Sequence, residues 1–160
     1  MAMKRLLPTA IVLLLLQATP AAARDLQKGW EAAQRGDYAA ALHEYRPLAE
    51  QGLVRAQYNL GFMYRESQGL PQDYSEAMRW FRLAAEQGLA PAQYNLGVMY
   101  GEGQGVPQDD ILAHTWFNLA AAQGEEGASA NRDTIAERLS PDQIAEAHRL
   151  AREWQPTSDP

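Results

Sequence analysis

Apolar residues recur along this chain at helical spacing, and the spacing itself recurs. Ala56, Leu60, Met63 and Tyr64 stand three and four residues apart, on one face of a helix. Ala92, Leu96, Met99 and Tyr100 repeat that face 36 residues later. Beyond a Gly- and Pro-bearing loop, Ala77, Phe81 and Ala84 mark the face of a second helix, with Trp80 and Leu83 at its flanks and Ser75, Arg79, Arg82 and Glu86 on the polar side. The pattern predicts first helices over Val54–Glu66 and Ala90–Glu102, and second helices opening after Asp73 and Asp109. Asp73 followed three residues on by Glu76 has capping-box spacing. Gly52, Gly88 and Gly124 stand where a helix ends in a left-handed residue. Gly61 and Gly97 fall inside helices, where glycine costs about 1 kcal/mol against alanine. They are expected where two helix backbones approach too closely for a Cβ. Leu70 and Val106, in the loops, are expected to tuck back between the helices.

Residues 56–91 and 92–127 share 22 identities in 36 positions. A fixed period of that length marks a stacked repeat architecture. A shortened repeat precedes the two copies over 26–52. Leu26, Trp30 and Ala33 set its first helix face, Arg35-Gly36-Asp37 its turn, and Ala41, Leu42, Tyr45, Leu48 and Ala49 its second face, with Pro47 expected to bend that helix. After Gly127 the pattern weakens. Ala128, Ile135 and Leu139 suggest one more helix. Ser140-Pro141-Asp142-Gln143 then reads as a strong helix start, followed by Ile144, Ala147, Leu150, Ala151 and Trp154. Residues 128–154 are therefore expected to cap the exposed end of the stack, and 155–160 to form a disordered tail.

The first 23 residues read differently. Lys4-Arg5 precede an apolar run over Leu6–Ala18, and Ala21-x-Ala23 offers small residues for a peptidase. The run is shorter than the roughly 20 residues a spanning helix needs. Residues 1–23 are thus expected to be a signal peptide cleaved after Ala23, leaving a periplasmic or secreted chain with no stable membrane insertion. Residues 24–154 would form the solenoid. Formal net charge is −6, and removing Lys4 and Arg5 leaves 12 basic against 20 acidic residues, or −8. An anionic chain without a basic stripe does not fit nucleic acid. The absence of cysteine excludes disulfides, thiolate catalysis and cysteine-held zinc.

The motif Ala-x-Tyr-x-Leu-Gly-x-Met-Tyr (Ala56–Tyr64, Ala92–Tyr100), the Gly-Leu/Val-Pro-Gln-Asp loop (Gly69–Asp73, Gly105–Asp109) and Ala-x-x-Trp-Phe-x-x-Ala-Ala-x-x-Gly (Ala77–Gly88, Ala113–Gly124) resemble the Sel1-like repeat, a relative of the tetratricopeptide repeat. The resemblance implies an all-α fold: a right-handed α-solenoid of antiparallel helix pairs, closed by a C-terminal capping helix. It also implies a concave face that binds a partner, usually a protein, and a role as an envelope adaptor. By analogy with tetratricopeptide folds, the first helices line that face. Arg55, Tyr58, Asn59, Phe62, Arg65, Tyr94, Asn95 and Val98 are the candidate contact residues. Some cysteine-rich members are associated with β-lactams, but this chain lacks the cysteines of their helix-pair disulfides.

No catalytic constellation accompanies the repeats. Lys28, the lone lysine after the leader, has no serine one turn before it. His43, His114 and His148 fall on three helices of different repeats and read as surface or groove residues. Asp109-Asp110 and Glu125-Glu126 suit solvated helix N-termini. Gly101–Gly105 lacks the strand and the Lys-Ser/Thr of a phosphate loop. The expectation is a monomeric, non-enzymatic interaction module with a protein partner and no cofactor or metal. An enzyme or binder for cell-wall or β-lactam ligands, or a polysaccharide-binding scaffold, is the alternative.

Overall fold

The 36-residue spacing folds as a row of helix pairs. The computed structural model describes residues 19–157. Within them eight α-helices follow in order: α1 (Pro20–Gln34), α2 (Tyr38–Glu50), α3 (Val54–Arg65), α4 (Tyr74–Glu86), α5 (Ala90–Glu102), α6 (Asp110–Ala122), α7 (Ala128–Ala136) and α8 (Pro141–Glu153). From α1 to α7 each helix packs on the next in sequence, and α8 folds back onto α6. No helix among the described residues is long and apolar enough to cross a membrane.

The second helices begin where the aspartates put them. Asp37, Asp73 and Asp109 accept hydrogen bonds from the backbone N–H three residues on, at 3.1, 3.0 and 2.9 Å. Each satisfies one of the donors a helix start leaves open. At Asp73 only this half of the capping box forms, because the Glu76 carboxylate turns to Arg79 at 2.9 Å. The complete box is at Ser140 and Gln143.

The intrahelical glycines answer to an aromatic ring rather than to a second backbone. A Cβ on Gly61 would lie 3.0 Å from the Phe81 ring, one on Gly97 2.6 Å from Phe117, and one on Gly29 2.5 Å from Tyr45. Tyr45, Phe81 and Phe117 are themselves spaced by 36 residues. Each second helix thus lays one ring into a notch on the first helix of its pair. Around these rings the core is built from Leu60, Met63, Leu96 and Met99 and from buried alanines of both helices. Leu70 and Val106 pack against the core clusters from their loops, as the sequence predicted.

One further expectation changes. Trp30 is not on the core face of α1: it is 52% exposed, while Gly29 and Ala32 are buried. The Tyr45 ring against Gly29 sets the rotation of α1, and Trp30 is carried out to solvent. Pro47 sits inside α2, which runs on to Glu50. Past Gly127, Ala128, Asn131 and Ile135 stand 36 residues after Ala92, Asn95 and Met99, so α7 takes the place of a first helix, while α8 packs on α6.

At the ends, α1 starts at Pro20, ahead of Leu26, and Ala22 packs against the first core cluster. The expected cleavage frame lies in this first turn; the apolar run before it falls outside the described residues. At the other end, Thr157 N–H donates to Glu86 O at 2.7 Å, so the chain stays on the solenoid past α8. The remainder of the expected tail, 158–160, lies outside the described residues.

Candidate interaction groove

Two sets of polar side chains join one pair to the next. Gln57 and Gln93 are buried at the starts of α3 and α5. Each donates to a carbonyl at the end of the preceding second helix, Gln57 to Ala49 O and Gln93 to Ala85 O, both at 3.3 Å. Each then accepts from the glutamine beyond the following second helix: Gln87 Nε2 to Gln57 Oε1 and Gln123 Nε2 to Gln93 Oε1, both at 2.8 Å. A buried amide that fills both its donor and acceptor roles avoids the cost of an orphaned polar group.

The second set involves asparagines at 36-residue spacing. The Tyr94 hydroxyl accepts from Asn131 Nδ2 at 3.0 Å. One unit earlier the Tyr58 hydroxyl faces Asn95, and burial raises its pKa against the opposing pull of that contact. In the first unit Asn59 faces Tyr45, which burial pushes up to about 12. The first unit has Leu26, not tyrosine, on this face of α1. Its hydroxyl comes from the second-helix ring instead.

These contacts sort the eight candidate residues. Tyr58 packs on Phe81 with ring centroids 5.7 Å apart, and Tyr94 on Phe117 at 5.6 Å. Asn59 and Asn95 face the neighbouring unit, and Asn95 also donates to Pro91 O at 2.7 Å. Phe62 is half-buried with the Arg65 guanidinium 5.3 Å over its ring, and Arg55 is exposed. Arg65, Tyr94 and Val98 line open space. They edge a cleft of about 330 Å³ between α3 and α5, completed by Glu66, Gln72, Tyr74, Glu102 and Gln104. A smaller cleft of about 130 Å³ follows between α5 and α7, reached through Gly101 and edged by Val98, Glu102, Asn131, Thr134 and Arg138.

Charge in the clefts is mostly paired. Arg65 binds Glu66 at 2.7 Å and also donates to Asn95. Arg138 pairs with Asp110 at 3.4 Å. Glu102 belongs to both clefts and has no ion pair among the described residues; one carboxylate oxygen accepts from Gln104 at 2.6 Å. Sequence reasoning did not single out Glu102, Gln104 or Arg138. Glu66 and Glu102 are identical in both copies, which was the available signal.

One histidine of the three departs from expectation. His43 is exposed, but His114 is only 2% exposed, wedged between α6 and α8 with its ring centroid 5.2 Å from that of His148. Its Nδ1 has no hydrogen-bond partner among the described residues. Beside it the Thr115 hydroxyl donates to Ile111 O in its own helix at 2.8 Å, with Ala147 O of α8 3.4 Å away. Burial first, then His148 and Arg132, hold the His114 pKa below its ordinary 6.5, with Asp133 opposing. The unfolded chain therefore binds more protons below pH 6.5, and stability is lost as pH falls from 6.5 toward the folded value. The urea midpoint is expected to drop between about pH 7.5 and about pH 5.5. His114→Met, which installs the residue found at Met78 one unit earlier, should shrink that drop. An equal drop in the variant would exclude His114 as its source.

Residues 54–89 and 90–125 each match the family model described as Sel1 repeat. No curated protein matches the chain. Among solved structures, it is similar to a protective antigen present in uropathogenic Escherichia coli strains that displays an SLR fold, with a TM-score of 0.79 and 30% identity over 83% of this chain. This chain spans 29% of that antigen's length. It is also similar to a Sel1 repeat protein from Oxalobacter formigenes, with a TM-score of 0.63 and 33% identity, covering 73% of this chain and 92% of that one.

Proposed function

The chain belongs to the Sel1 repeat family, and from that premise we propose that it is a non-catalytic adaptor of the cell envelope, exported by its first 23 residues, that holds a protein partner along the groove of α3, α5 and α7. The observation that carries this reading is the row of two unlike clefts. They share Val98 and Glu102 but differ where Arg65 of one unit is replaced by Gly101 of the next. A row of unlike clefts can read an extended segment side chain by side chain. Glu102, the unpaired carboxylate common to both, favours a segment carrying a basic residue, since complementary charge sets specificity and association rate.

The test is crosslinking from the periplasmic fraction with a tagged chain whose N-terminus is sequenced. The mature protein is expected to begin at Arg24. Glu102→Lys should lower partner capture roughly tenfold, while Arg79→Glu, on the outer side of α4, should leave it unchanged. Retention of Met1 removes the export proposal. Equal capture by wild type and Glu102→Lys removes the groove.

A further inference from the structure

Outside the groove, the segment after α8 packs back on the solenoid. Helix α8 closes with Trp154 N–H on Leu150 O at 3.0 Å, and Trp154 then turns to extended backbone at φ −63°, ψ 134°. The residues that follow run back along the solenoid. The Trp154 ring meets Trp116 of α6 edge-on, with centroids 6.3 Å apart. Trp154 and Pro156 then lie over Gly88, at the turn between α4 and α5, 3.9 and 3.8 Å from where a Cβ would stand. Thr157 N–H finally donates to Glu86 O at 2.7 Å. That carbonyl is in the last turn of α4, where acceptors lack intrahelical donors. Gly52 and Gly124, the equivalent turn glycines, have nothing within 4 Å of a Cβ. Of the three turns, the covered one is the turn beside Trp116.

We propose that Trp116, Gly88 and the Glu86 carbonyl form a second binding surface that recognises an extended Trp-x-Pro segment, and that Trp154–Thr157 of this chain is its resident, displaceable ligand. The elements are those of short-peptide recognition: one aromatic anchor, a proline that restricts the segment before it binds, and a main-chain hydrogen bond. In place, the segment ties α8 to a turn one unit back and covers Trp116.

The test uses the full chain and a fluorescent peptide spanning Glu153–Pro160. Trp154→Ala empties the anchor position and is expected to bind the peptide at least about tenfold more tightly than wild type, whose own segment competes. Adding Trp116→Ala should abolish that binding. If Trp154→Ala loses helical circular dichroism, Thr157→Pro decides instead: it leaves every helix intact and removes the N–H that reaches Glu86. Peptide binding no tighter than to wild type in the folded variant would overturn the proposal, as would binding that survives Trp116→Ala.

Discussion

Phe81→Ala is expected to cost about 3–5 kcal/mol of unfolding free energy, out of the roughly 5–15 kcal/mol typical of a domain. The Phe81 ring is fully buried. It fills the notch at Gly61, packs on Tyr58 and lies 5.8 Å beneath the Arg65 guanidinium. Its removal therefore opens a cavity between α3 and α4 and frees three neighbours at once. Glycine at position 61 has no side chain to relax into the space. The companion measurement is Trp30→Ala, at a position the sequence pattern placed on the core face and the structure places in solvent. Surface substitutions away from special features change stability by about 0.5 kcal/mol or less. Urea denaturation of the two variants should separate them clearly. Equal losses would mean that the assigned rotation of α1 is wrong.

Gly105→Ala is expected to cost at least about 2–3 kcal/mol, more than Gly124→Ala, because two penalties coincide there. Both glycines have positive φ, +71° and +81°. An L-residue in that region costs about 1–2 kcal/mol at either site. At Gly105 the new Cβ would also stand 2.5 Å from Tyr74 O and 2.6 Å from Tyr74 C, whereas at Gly124 nothing lies within 4 Å. Backbone cannot yield as a flexible side chain can, so the α5–α6 loop must lift from the start of α4. Thermal unfolding of the two variants gives the comparison. If they lose the same amount, the loop does not bear on α4 as described.

The pattern of apolar positions located α3 to α6 to within a residue or so, because every element there is read twice. Its errors lie where a residue's role depends on a partner in another unit. The Gly61 and Gly97 notches were legible as close approaches, but their occupant was not: the ring comes from a helix some 20 residues on. Trp30 and Gly29 are adjacent, and only the Tyr45 ring decides which faces inward. His114 occupies the core position held by Met78 in the preceding unit, yet a histidine gives no apolar signal. The weak pattern after Gly127 hid a register that Asn131 and Ile135 preserve. Of the eight candidate contact residues, Arg65, Tyr94 and Val98 line the clefts. The asparagines proved to serve the joints between units, and identity between copies alone does not separate a joint from a binding surface.

Those joints have an evolutionary corollary. The bond from Gln57 Nε2 to Ala49 O and the bond from Gln93 Nε2 to Ala85 O have the same atoms and the same length. A duplicate of residues 54–89 inserted after Leu89 would therefore meet a familiar neighbour on each side, with no new chemistry to evolve. It would bring its own Glu86 and Gly88, so the C-terminal segment would still find its seat. Length in this architecture is thus open to change by tandem duplication, one 36-residue unit at a time, while each junction stays native.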